Sequence, residues 1–336
     1  MDLLVNKQFI NSRSLQYNYY VSPASNASTG NPALVLLHGF PDSAAIWAPL
    51  VPILAALGFR LLIPDMLGYG GTSKPWDVSY FNSSAMASDI MEILDFENIG
   101  NFISIGHDWG SFMAHRLYIW HPDRVDALAV AAYNWESVLR TPTDIDAQAA
   151  EFERTLGWPV KHYYSFLAGP DAARLLTGHP ESFMAAGYGT DNNMNVTFGR
   201  RDGLKNWLVG DKRTSLQSWA RDPVVLETVK ASFQGDGFVS PLNWYRALVE
   251  NVHMEVENVL PADADNVKVP FLLIGGEQDP VCPPAIFDNP KILERIPDFT
   301  KKVFDAGHFL PTEKPVEMAE TISDWLKSKG IAPKER

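Results

Sequence analysis

The segment Ile105-Gly106-His107-Asp108-Trp109-Gly110-Ser111 restricts this chain more than any other. It follows the apolar run 102–105, which suits a buried strand, and precedes a stretch in which Met113, Leu117 and Trp120 recur at helical spacing. Glycines flank Asp108 on both sides, as a sharp strand-to-helix turn requires where strained backbone angles and tight strand-helix packing leave no room for side chains. The central side chain of such a turn stands exposed above the sheet, where it can react. A plainer role is also open, because Asp is a favoured N-cap and could serve only to start the helix.

The same alternation runs through most of the chain. Residues 15–21, the wholly apolar 33–37, 61–63, 127–132, 269–274 and 302–304 read as strands, and 83–94 and the stretch after Asp108 read as helices. A helix is expected near 285–296, and a last one carries Val316, Ala319, Ile322 and Leu326 on one face. This order predicts a mostly parallel sheet flanked by helices. From about 134 to 260 the pattern becomes helical and rich in Trp and Tyr, so the sheet domain is split around an insertion: 1–133, 134–261 and 262–336.

Composition narrows the function. A net charge of −12 on 336 residues argues against nucleic acid and anionic membrane surfaces as partners. The single cysteine, Cys282, permits no intramolecular disulfide and suits a reducing, cytoplasmic setting. No signal peptide or membrane span is expected, and the sequons at Asn26, Asn82 and Asn195 read as chance matches.

Three further features fall where strands end. His38-Gly39-Phe40-Pro41 follows the 33–37 strand, so the N–H groups of Phe40 and Trp109 can form an oxyanion hole, with His38 holding the loop. Asp279 follows the 269–274 strand and His308 follows 302–304. The order Asp108, Asp279, His308 is nucleophile, acid, base. Glu136 also follows a core strand and is the alternative acid.

HGFPDS, DMLGYGGTS, GHDWGS, GEQD and AGH together resemble the soluble epoxide hydrolases of the α/β-hydrolase superfamily, over nearly the whole chain. The resemblance implies the α/β-hydrolase fold with an inserted helical cap. It also implies two ring-opening tyrosines: Tyr163, in His162-Tyr163-Tyr164-Ser165-Phe166, and Tyr245, in the segment Gly237 to Arg246. Tyr164 is the rival of Tyr163, and cap tyrosines can also simply pack.

The chemistry fits an Asp nucleophile. A serine attacking an sp³ carbon would end as an ether, whereas a carboxylate ends as a hydrolysable ester, which points to small-molecule epoxides or alkyl halides. Tyr163 and Tyr245 would bind the ring oxygen and donate a proton, and His308, supported by Asp279, would activate water against the ester. No metal or organic cofactor is needed for this. A haloalkane dehalogenase would share Asp108 and use the Trp109 indole for halide, but it has no use for the tyrosine pair. A catalytically silent receptor on the same fold is the reading of a different class.

Overall fold

A computed structural model describes residues 1–23, 32–190, 193–223, 225, 226, 229 and 237–331. The strands are β1 (Val5–Ile10), β2 (Gln16–Val21), β3 (Ala33–Leu37), β4 (Leu61–Pro64), β5 (Phe102–His107), β6 (Val125–Ala131), β7 (Phe271–Gly276) and β8 (Phe299–Phe304). They form one sheet in the order β1-β2-β4-β3-β5-β6-β7-β8. The β1–β2 and β2–β4 pairs are antiparallel and the remaining neighbours run parallel. Every residue of β3, β4, β5 and β7 is buried, as a sheet covered on both faces demands.

The differences from the sequence reading have physical causes. β1 carries Asn6, Lys7 and Gln8 on an exposed edge, so it has no apolar run to announce it. The single helix expected near 285–296 is two pieces, a 3₁₀ turn Pro284–Asp288 and a short helix Pro290–Leu293. Pro290 has no N–H with which to continue the first piece, and the Asn289 side chain caps the second. On the last helix, Pro315–Ser328, Val316 is 50% exposed. At about 100° per residue it falls on the flank of the stripe that Met318, Ala319, Ile322, Trp325 and Leu326 bury.

Between β6 and β7 the described residues add helices and no strand to the sheet. Arg116, on the helix Trp109–Trp120, ties this insertion down with no exposed surface. Its Nε and Nη2 donate to the two carboxylate oxygens of Glu257 at 2.9 Å each, and its other N–H groups reach the Glu136 and Ser137 carbonyls. Removing one partner leaves a buried charge uncompensated, so Arg116→Met is expected to cost about 3–5 kcal/mol in urea unfolding, and the double variant with Glu257→Leu clearly less. Losses that simply add in the double variant would show that the pair is not coupled.

The Asn82 side chain caps the helix Ser83–Phe96, accepting from Ala85 N and donating to Ser79 O. Asn26 lies outside the described residues. No helix among the described residues is long and apolar enough to cross a membrane.

Candidate active site

The chain turns from β5 into the helix Trp109–Trp120 at Asp108, whose φ is 54° and ψ −123°. A non-glycine residue pays for that backbone, on the order of 1–3 kcal/mol, and keeps it only where its surroundings fix it. Here Asp108 N donates to Ala131 O of β6, and Ser111 Oγ bridges both the N–H and the carbonyl of Ala131. A Cβ at Gly110 would lie 2.0 Å from the Leu37 carbonyl oxygen, so only glycine lets helix and strand approach this closely. The Asp108 side chain makes no capping bond to its own helix.

It points instead at the loop after β3. Phe40 N donates to Asp108 Oδ1 at 2.8 Å, and the Phe40–Pro41 peptide is cis. A Cβ at Gly39 would lie 2.2 Å from the same carboxylate oxygen and 2.7 Å from Trp109 N. The two N–H groups expected to form an oxyanion hole therefore stand together beside Asp108. His38 braces the loop, its Nδ1–H donating to Gly39 O while Nε2 accepts from Met66 N.

His308 Nδ1–H donates to Asp279 Oδ2 at 2.8 Å, and His308 Nε2 lies 3.5 Å from Asp108 Oδ2. Asp279 Oδ1 accepts from the N–H groups of Val281 and Cys282. Burial opposes charge on His308, yet the Asp279 charge and hydrogen bonds to Asp108 and Asp279 outweigh it and raise the ring's pKa well above its ordinary value. Burial likewise opposes ionisation of Asp279, but the His308 charge and its hydrogen bonds leave that carboxyl below the usual range. Glu136, the alternative acid, is absent from this chain of contacts. It forms a buried ion pair with Lys161, the residue just before the helix His162–Ala168, and Gln148 accepts a second bond from Lys161.

Tyr163 and Tyr245 line one cavity with Asp108 and His308, their ring centroids 6.1 Å apart. Tyr164 lines a separate recess with Asp108, Trp109, Glu136 and Cys282. Burial raises the pKa of both Tyr163 and Tyr245 well above 10.0, reinforced for Tyr245 by the Asp108 charge, so both hydroxyls keep their protons at neutral pH. Tyr245 also packs edge-on against Phe40 and Trp109, which joins the insertion to the elbow.

Two braces escaped the sequence reading. His107 Nε2–H donates to the His308 carbonyl at 2.8 Å. Glu313 accepts from Gly307 N and Phe309 N, gripping the loop on both sides of His308. A Glu one turn past AGHF was the available signal for the second.

Asp279, Cys282 and His308 offer ligand atoms within 4.8 Å of one another. Burial pushes the Cys282 thiol up to about 12, so it stays protonated, and a metal would have to break the His308–Asp279 bond. The donor set fits acid–base work better than a metal ion.

A mostly parallel sheet with an acidic elbow at one strand end and an Asp–His pair at two others is an arrangement that suits the alpha/beta hydrolase fold. The chain belongs to the alpha/beta hydrolase fold family, whose model matches residues 32–315. It is 29% identical over 301 residues to bifunctional epoxide hydrolase 2 of Rattus norvegicus, covering 88% of this chain and 52% of the relative. It thus spans about half the length of that relative. Epoxide hydrolase A of Mycobacterium tuberculosis is 27% identical over 304 residues, covering 88% of this chain and 91% of the relative. Among solved structures, epoxide hydrolase A of Mycobacterium thermoresistibile superposes with a TM-score of 0.76 at 23% identity, covering 96% of this chain and 98% of the other. That likeness is one of fold.

Proposed function

We propose that this protein hydrolyses small-molecule epoxides to vicinal diols through an ester on Asp108. The observation that carries the reading is the shared cavity of Asp108, His308, Tyr163 and Tyr245, because it sets a carboxylate nucleophile opposite two protonated hydroxyls. The names of the relatives at 29% and 27% identity agree with it.

Asp108 attacks an epoxide carbon, the ring C–O bond breaks, and the oxygen takes a proton from Tyr163 or Tyr245. His308, held by Asp279, then deprotonates a water that attacks the ester carbonyl carbon, and the Phe40 and Trp109 N–H groups hold the oxyanion. On collapse the diol oxygen takes its proton from His308. The proton left on the Asp108 carboxyl returns to the tyrosinate, which restores every group.

In this reading residues 1–133 and 262–336 form the core and 134–261 a cap that brings the tyrosines over the elbow. The lone cysteine favours a cytoplasmic setting.

A single turnover in ¹⁸O-water tests the mechanism. Because water attacks the ester carbonyl, the first diol is expected to be unlabelled and the label to appear in Asp108, read by mass spectrometry of the peptide. Labelled diol in the first turnover would mean direct hydration and no ester.

A further inference from the structure

Two cavities meet at Tyr188 and Phe309. The one in front of Asp108 holds about 20 Å³, little more than a single water needs. The other, on the far side of those two rings, holds about 560 Å³. The reacting ring can sit in the first, but a larger molecular frame finds its room in the second.

Three residues that line the larger cavity each bury a polar atom without a hydrogen-bond partner among the described residues: the Tyr188 hydroxyl, Trp219 Nε1 and Asp42 Oδ2. Tyr188 is only 2% exposed and Asp42 5%. Tyr188 ends the helix Pro180–Tyr188, Trp219 opens the 3₁₀ turn Trp219–Arg221, and Phe309 follows His308 directly. Their rings interlock, with centroids 4.5 Å apart for Tyr188 and Phe309 and 5.5 Å for Tyr188 and Trp219. Buried polar groups are normally satisfied, so three without partners on residues of one wall are a reason to ask what a polar ligand could offer them.

The chemistry of the wall selects the ligand. An indole N–H can only donate, and a tyrosine hydroxyl donates readily. Burial, with the Asp108 charge, pushes the Asp42 carboxyl up to about 8, so at neutral pH it too can donate. Arg221 and Asp222 line the same cavity side by side and offset each other, while the Asp108 charge that reaches Tyr188 and Asp42 disfavours an anionic head against those two residues.

We infer that this cavity is a subsite for an uncharged oxygen acceptor, such as an ester or ketone carbonyl, carried on an arm of the substrate, with Tyr188 and Trp219 as its donors. The inference rests on the epoxide-hydrolysis reading for its reaction, but not for its binding.

The test compares the methyl ester of an ω-epoxy fatty acid with the hydrocarbon epoxide of the same chain length. One or two neutral hydrogen bonds predict a preference in kcat/KM for the ester of about three- to ten-fold, lost in Tyr188→Phe and Trp219→Phe. Equal turnover of the two compounds by the wild type, or a preference that survives both substitutions, overturns the subsite. Calorimetric titration with methyl octanoate, which has no epoxide, reads binding alone. Should neither epoxide be hydrolysed while methyl octanoate still binds through Tyr188 and Trp219, the subsite stands and the epoxide reading falls. Binding that is absent, or indifferent to both substitutions, removes the subsite whatever the activity.

Discussion

His308→Gln is expected to keep its ability to form the Asp108 ester and to lose the ability to release it. The alkylation step needs the carboxylate and the tyrosine acids, none of which is supplied by His308. The hydrolytic step needs a base for water, and loss of such a base in a triad costs roughly 10⁴–10⁶-fold. Intact-mass spectrometry after epoxide addition should therefore show one substrate mass added to the variant, while diol production falls by about that range. The wild type should show the same species at acid pH. Its His308 is raised partly by the bond to Asp108, which alkylation removes, so the ring in the ester form titrates lower than in the free enzyme. As pH falls through that lowered value the base becomes protonated, hydrolysis slows, and ester accumulates. A variant whose mass stays unchanged, under conditions where the wild type turns over, would take the base role away from His308.

What the sequence made legible follows from where strands end. Asp108, Phe40, Asp279 and His308 each lie just beyond a strand of the parallel run, and a parallel sheet gathers those ends at one edge whatever the helices between them do. The registers of β3, β5, β6, β7 and β8 fix the spacing, so four short motifs sufficed to assemble the centre. The insertion obeys no such rule. Lys161 finds Glu136 across 25 residues of helix and turn, and Arg116 finds Glu257 across 141, through side-chain contacts that leave no periodic trace. Tyr163 was separable from Tyr164 by resemblance alone, since neighbouring residues on a short helix are equally aromatic and the wall each one faces depends on how that helix docks. The open polar atoms beyond Tyr188 were invisible for the same reason: Asp42, Tyr188 and Trp219 come from three distant segments.

Replacing Tyr163 or Tyr245 with Phe is expected to slow epoxide opening by roughly 10²–10⁴-fold each, the usual contribution of a positioned general acid. The two hydroxyls matter because an alkoxide leaving group needs a proton, whereas a halide departs without one. Their proton affinity is matched to the step. In the resting enzyme burial and the negative Asp108 hold Tyr245 well above 10.0, so the acid form is fully populated. As Asp108 attacks, its charge passes to the alkoxide, so the part that Asp108 adds to burial in holding the Tyr245 proton is lost as that proton must leave. The Phe variants retain the ring packing, of residue 245 against Phe40 and Trp109 and of residue 163 against Phe198, so unfolding midpoints should change little while the covalent-adduct phase in stopped-flow tryptophan fluorescence lengthens. The double variant should be nearly inactive, since both donors to the ring oxygen are gone. Tyr164→Phe, on the wall of the other recess, should be close to wild type. A damaging Tyr164→Phe with a silent Tyr163→Phe would move the acid one residue along the helix. If none of the three slows epoxide opening and the wild type instead releases halide from 1-haloalkanes, the cavity serves halide displacement and its tyrosines only pack.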